Sequence, residues 1–132
     1  MKGVHYLTVE DALANHAVGI HLSGGSLGVR DEGVLIGCLE RPKAAFGGSD
    51  MYKTVFEKAA VYIDSIARNH PFVDGNKRTA FLCGSRFLSL NKYNVHMPCR
   101  KIVDGMLWVV TKHPEIKEIA AWLKKHSSKQ RG

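Results

Sequence analysis

Apolar residues recur along most of this chain at three- and four-residue spacing, the pattern of helices that bury one face. Thr8-Val-Glu-Asp11 has the spacing of a capping box with Asp in the acidic place, and Val9, Ala12, Leu13, His16, Ala17 and Ile20 follow as the first stripe. A helix is expected from about Thr8 to Leu22. His16 falls on that stripe, where a hydrogen-bonded core histidine is expected rather than a ligand. Gly24, Gly25 and Gly28 read as a flexible connector, because the Gly-Lys-Ser/Thr ending of a nucleotide P-loop is missing. Asp31 can cap a second helix to roughly Leu39, and Pro42 stops it from continuing past Glu40. The segment from Arg41 to Gly48 reads as a mobile surface loop. A long helix starting at Ser49 or Asp50 then carries Phe56, Ala59, Ala60, Ile63, Ile66 and Ala67 on its core face and ends just before His70.

Beyond His70 the stripe resumes with Ala80, Phe81, Gly84, Phe87 and Leu88, where Cys83 and Gly84 are small enough for close helix packing, and it breaks near Asn91. Tyr93 to Met97 reads as a short extended piece. A helix from about Arg100 to Thr111 bears Ile102, Val103, Met106, Leu107 and Val110. Pro114 suits the first turn of a last helix with Ile116, Ile119, Ala120 and Leu123. The expected architecture is all-α: a compact bundle of about six helices, with the loop at His70 held between the two central ones. Residues 1–126 form the domain, and 127–132, with Ser127, Ser128, Lys129, Arg131 and Gly132, form a basic tail expected to be frayed.

At 132 residues, 45% of them apolar, the chain suits one domain with a real core and leaves no room for a second. No run of about eighteen apolar residues is present to cross a bilayer. The start, Met1 to Thr8, lacks the long apolar core of a secretory signal, so a cytoplasmic location is expected. Cys38, Cys83 and Cys99 are odd in number and widely spaced, which points to reduced thiols. His96 and Cys99 have a loose metal-ligand spacing, but without a second pair they do not indicate zinc. A net charge of +7 implies an acidic partner. The basic residues are dispersed and no nucleic-acid reader motif occurs, so direct reading of nucleic acid is not expected.

Chemistry concentrates in His70-Pro-Phe-Val-Asp-Gly-Asn-Lys-Arg-Thr79. His70 is the candidate general base, since imidazole titrates near neutral pH and can take a proton from a hydroxyl. Asp74 offers hard oxygen for magnesium, which keeps several waters and is shared with substrate phosphates. Gly75 lets the backbone approach a bulky anion, and Asn76 to Arg78 open a helix whose first-turn amides favour negative charge. Lys77 adds a point charge and Arg78 a planar fork for two phosphate oxygens. Taken singly, His70-Pro is commonly a turn and Lys77-Arg78 a solvated helix face. Their joint occurrence is what points to a phosphate-handling site.

The run His70-Pro-Phe72-Val-Asp74-Gly75-Asn76-Lys77-Arg78 resembles the signature of the Fic/Doc superfamily. Its continuation through Thr79-Ala80 resembles the Doc branch, the death-on-curing toxins. Ser23 to Asp31 and Leu39 to Gly48 resemble Doc-type chains too. The departures from Fic enzymes that transfer AMP are Lys77, where those carry Gly, and Phe81, where they carry a second Arg. The resemblance therefore implies a kinase that transfers the terminal phosphoryl group of ATP to a threonine of elongation factor Tu, with AMP transfer as the competing activity. It further implies His70 as the base for the acceptor hydroxyl, Asp74 as the magnesium carboxylate, and Asn76 with the Gly75 and Lys77 amides and the Lys77 and Arg78 side chains around the phosphates. Phe72 is expected to anchor the loop to the core. The Arg41–Gly48 segment becomes either a flap that aligns the target or a plain connector. Thr111-Lys-His-Pro-Glu115 has the spacing of the Fic inhibitory motif, but Ile116 stands where Gly or Asn belongs, so control is expected in trans from an antitoxin with a helical, acidic tail. A reading from another class is an inactive binding module that titrates a partner or sits on operator DNA.

Overall fold

A computed structural model of the chain describes residues 3–131. Met1, Lys2 and Gly132, which belong to the start and the tail discussed above, lie outside the described residues. Six α-helices account for most of those residues: α1 (Val9–Ser23), α2 (Glu32–Glu40), α3 (Val55–Asn69), α4 (Asn76–Leu90), α5 (Cys99–Lys112) and α6 (Ile116–Lys125). The all-α bundle is as expected. Among the described residues no helix is long and apolar enough to cross a membrane.

The helices begin where side chains can satisfy their free amides. Thr8 and Asp11 form the expected capping box on α1, and the Asp31 carboxylate accepts the Val34 N–H at 3.1 Å to start α2. The third helix begins later than expected, at Val55. Thr54 and Glu57 cap each other's backbone there, while Ser49 and Asp50 are taken up by a hairpin. In that hairpin β1 (Ala45–Phe46) pairs with β2 (Ser49–Asp50) around Gly47-Gly48, both at positive φ. The segment expected to be a loop is thus one 3-10 turn at Arg41–Lys43 followed by this ribbon. The hairpin's base is held from below. Lys58, fully buried, donates to Asp50 Oδ2 at 3.0 Å and to the Pro42 carbonyl at 3.3 Å, whereas Phe46 at the ribbon's end is 85% exposed.

α3 is the core of the bundle, packing on α2, α4, α5 and α6. The expected stripe is buried, and so are Lys58, Val61, Tyr62, Asp64 and Ser65 on its other faces. Polar members of this set find partners: Arg41 donates to Asp64 Oδ2 and Ser65 Oγ, each at 2.8 Å. Gly84 lets α4 close on α3, since a Cβ there would lie 2.7 Å from Ile63 Cδ1. Likewise Gly105 gives room to Trp122 of α6.

On α1 the buried residues are Ala12, His16 and Gly19, whereas Val9 and Leu13 of the expected stripe face outward. On α5 the core takes Gly105, Met106 and Val109 and leaves Val103 and Leu107 at 47% exposure. The tail differs from the frayed end expected of it. β4 (Ser127–Lys129) pairs antiparallel with β3 (Tyr93–Val95), and Gln130 donates to Ser89 O. Pro114 lies two residues ahead of α6, whose cap is Glu115. The three cysteines are free, Cys38 and Cys83 buried and Cys99 exposed, and burial pushes the Cys83 thiol up to about 12. The imidazole Nε2 of His96 lies 2.8 Å from Ser128 Oγ, tying β3 to β4.

Candidate active site

α3 ends by turning into the left-handed region at His70, φ 52° and ψ 59°, with the His70 N–H closing back on Ile66 O. A residue with a Cβ adopts that conformation at a cost of about 1–2 kcal/mol, so the surroundings must hold it. They do so from two sides. Phe72 is fully buried and stacks on His16, ring centroids 4.0 Å apart and planes 11° apart. The anchoring role expected of Phe72 is therefore its place in the structure. Above it the Asn76 side chain closes the loop: Oδ1 accepts the Phe72 N–H and Nδ2 donates to Phe72 O, both at 3.0 Å, while Nδ2 also lies 3.4 Å from His70 Nδ1. The amide of Asn76 is thus turned inward, and what this residue can offer an anion is its backbone N–H.

His16 supports this arrangement as a neutral ring. Its Nε2 accepts the Gly28 N–H at 3.3 Å, so Nδ1 carries the proton toward Thr79 Oγ1 at 3.1 Å. Burial lowers its pKa, against a smaller pull upward from Asp74. The core histidine expected at this position is what the structure shows.

Gly75 stands at the N-cap of α4 at φ 70° and brings no capping side chain, so the first-turn amides of Asn76, Lys77 and Arg78 remain open to a ligand. Lys77 and Arg78 form no ion pair with another described residue. Asp74 is oriented by two amides, Oδ1 accepting from Gly75 N–H at 2.9 Å and Oδ2 from Ser26 N–H at 3.2 Å. Gly25 lies beside it at positive φ, and a Cβ there would crowd the Asp74 carboxylate. Each carboxylate oxygen keeps a lone pair for a further partner, and the side chain is exposed. A single exposed carboxylate suits magnesium, which takes one or two such ligands together with waters and phosphate oxygens. The residues present therefore fit that ion.

His70, Asp74, Gly75, Asn76, Lys77 and Arg78 all line one cleft of about 410 Å³. All six residues singled out in the sequence are thus brought together. The opposite wall is apolar and comes from α5: Ile102, Val103, Met106 and Leu107. This wall was not read from the sequence, where Val103 and Leu107 passed as core. The glycine-containing connector was also underestimated. Gly28 O accepts from Val73 N–H, Pro71 O accepts from the Arg30 and Asp31 amides, and Val29 bridges Phe72. The side chain of Arg30 reaches further, donating from Nε to His70 O and from Nη2 to Asn69 O at 3.0 Å.

An imidazole at a helix end, facing the cationic and uncapped first turn of the next helix across a hydrogen-bonded loop, defines a class of group-transfer site. Residues 6–88 match the model of the Fic/DOC family, and the chain belongs to that family. It is similar to Toxin Doc of Mycolicibacterium smegmatis, 38% identical over 120 residues that cover 89% of this chain and 90% of the relative. It is also similar to Protein kinase doc of Escherichia phage P1, 32% identical over 92 residues, which are 70% of this chain and 72% of the relative.

Proposed function

We propose that this chain is a Doc-type toxin: a cytoplasmic protein kinase that passes the terminal phosphoryl group of ATP to a threonine or serine hydroxyl of a translation factor, with elongation factor Tu as the expected target, and so arrests translation. A cognate antitoxin with a helical, acidic tail restrains it, in keeping with the net charge of +7. The observation that carries this reading is the common cleft, in which His70 and the open N-terminus of α4 face the same space. The names of the two relatives support it.

Phosphoryl transfer asks a protein for position and charge more than for covalent chemistry. The Asn76 to Arg78 amides and the Lys77 and Arg78 side chains receive the phosphate oxygens, Arg78 in a two-pronged grip. The His70 imidazole takes the proton of the acceptor hydroxyl as its oxygen bonds to the terminal phosphorus and the bond to ADP breaks. Asp74 would hold magnesium, which when bound neutralises phosphate charge. The apolar wall of α5 keeps water from one side of the transferring group. Kinase activity is favoured over AMP transfer by two positions. Lys77 replaces the glycine of the AMP-transferring pattern, and Phe81, where that pattern has a second arginine, is buried with its ring 6.2 Å from Trp122 and supplies no charge.

The test is incubation of the purified chain with elongation factor Tu and ATP labelled at either the alpha or the gamma phosphate. Gamma label on the factor is expected, and the rate should fall at least about a hundredfold in His70→Ala, the scale of a removed general base. Arg78→Ala should also cripple transfer. Alpha label on the factor overturns the kinase assignment in favour of AMP transfer. Growth arrest that persists in His70→Ala would instead favour an inactive binding module.

A further inference from the structure

The geometry points to Arg30 as the residue that positions the catalytic histidine. Its guanidinium bridges the last two carbonyls at the end of α3, taking Asn69 O and His70 O with two separate N–H groups. A cation at a helix C-terminus is favoured both by these hydrogen bonds and by the partial negative charge that the carbonyls present. The effect falls on the two peptides that flank the His70 Cα and so set the direction of its side chain, and His70 holds a left-handed conformation that is uncommon for a residue with a Cβ.

The arrangement separates the Arg30 side chain from its backbone. The amides of Arg30 and Asp31 fix Pro71 O at 2.7 and 3.2 Å, Val73 N–H reaches Gly28 O at 2.9 Å, and Val29 bridges Phe72. These contacts hold the 28–31 segment against the loop whatever side chain stands at position 30. Replacing Arg30 therefore removes the grip on the α3 terminus and leaves the clamp beneath it. Of the other supports of the loop, the Phe72–His16 stack and the Asn76 backbone contacts act on Phe72, two residues further along, and Asn76 Nδ2 lies 3.4 Å from Nδ1 of the His70 ring. Arg30 is the side chain that holds the His70 carbonyl itself. Its guanidinium is engaged by the Asn69 and His70 carbonyls and it is not among the residues that line the cleft, so it acts through His70 rather than on substrate.

The inference rests on the kinase reading only for what His70 does, and the experiment separates the two. Arg30→Gln and Arg30→Lys are compared with the unaltered chain in gamma-phosphoryl transfer and in histidine-ring NMR of the full-length protein, the His70 signals being assigned by their loss in His70→Ala. In Arg30→Gln, kcat should fall about tenfold or more with KM for ATP within about twofold, because a displacement of about 1 Å in a reacting group costs on the order of a hundredfold. The His70 ring signals should shift and broaden while those of His16 stay in place. Arg30→Lys, which keeps a cation able to reach one carbonyl, should recover part of both. Unmoved His70 signals, an unchanged kcat, a raised KM at constant kcat, or loss of the fold in both variants would each overturn the inference. If the unaltered chain transfers no phosphoryl group while the His70 signals still respond to Arg30→Gln, the kinase reading fails and the positioning role stands.

Discussion

Replacing Asn76 by alanine tests how the loop at His70 is held. The residue is 8% exposed, and its side chain spans both polar groups of the backbone of Phe72, itself fully buried, at 3.0 Å. Truncation leaves one buried donor and one buried acceptor without a partner, each costing about 1–3 kcal/mol. A water entering the vacated space would restore part of this, so a net loss of about 2–4 kcal/mol is expected. For a domain of this length about 4 °C per kcal/mol converts that to a fall in the thermal midpoint of roughly 8–16 °C. Circular dichroism during heating, with urea unfolding as a check, measures it. Asn76→Asp sharpens the test, for the new carboxylate still accepts the Phe72 N–H but sets a second oxygen against Phe72 O. It should be less stable than the unaltered chain at neutral pH, and the difference should narrow below about pH 4, where the protonated carboxyl regains a donor. A midpoint within about 2 °C of the original in Asn76→Ala would refute the reasoning, since a paired buried amide cannot be removed so cheaply; the loop would then be held by the Phe72–His16 stack and the ribbon to residues 28–31 alone.

Three other outcomes are expected. Gly84→Ala sets a Cβ 2.7 Å from Ile63 Cδ1 and Cγ1 and 3.3 Å from Ala59 O, so it should lose about 1–3 kcal/mol in urea unfolding; adding Ile63→Val should recover part of the loss, and strictly additive effects would show that the two sites do not meet. Gly25→Ala, strained at φ 107° with its Cβ against Asp74 Oδ2, should dislodge that carboxylate and raise the magnesium concentration needed for half-maximal transfer, whereas an unchanged magnesium dependence would remove Asp74 from the proposed ion site. His16, whose pKa burial lowers in the folded chain, is more readily protonated when unfolded, so its contribution is full above its ordinary value of about 6.5 and is lost as pH falls through the lower folded value. Unfolding free energy measured from pH 7.5 to 5 should therefore decline with a slope that flattens in His16→Gln, and equal slopes in the two proteins would contradict the neutral, buried ring.

What could be read from the sequence was local. Thr8 with Asp11, and Asp31 with the Val34 amide, place helix starts because a cap and its target lie within one turn. The phosphate motif is equally compact, its six candidate residues falling between positions 70 and 78. Interactions between distant segments were invisible. The start of α3 was misplaced because Ser49 and Asp50 look like caps in isolation, whereas in the fold Ser49 and Asp50 pair with Ala45–Phe46 and the buried Lys58 donates to Asp50. β4 was missed because Ser127-Ser-Lys129 has no apolar alternation; it is held by backbone hydrogen bonds to Tyr93–Val95, which leave no mark on side-chain identity. Arg30 was passed over for a related reason. A lone cation just before a helix reads as solvated, and nothing in its neighbours announces two carbonyls some forty residues away. On α5, Val103 and Leu107 share the apolar chemistry of the core, so a pattern of hydrophobicity alone could not assign them to a cleft.

The motif divides its work by facing direction. Phe72 and Asn76 point inward and are buried, whereas His70, Asp74 and Lys77 are exposed and Arg78 is half-exposed. Arg78 shows how the division is made on one side chain, because its Cγ lies against α1, where a Cβ at Gly19 would come within 3.2 Å, while the residue as a whole keeps surface in the cleft. The buried members use neutral groups that satisfy one another, so the support costs no desolvated charge. Among the described residues the exposed members form no ion pair, so the polyphosphate proposed for this cleft would displace water rather than an internal ion-pair partner. A site of this construction holds its donors in place before the anion arrives, which is the condition under which fixed charges and amides act on a transition state without reorganising. The same division explains why the support must come from several directions at once. The exposed residues cannot stabilise their own strained turn: the stack on His16 holds Phe72 by its ring, the amide of Asn76 holds it by its backbone, and the grip of Arg30 holds the Asn69 and His70 carbonyls.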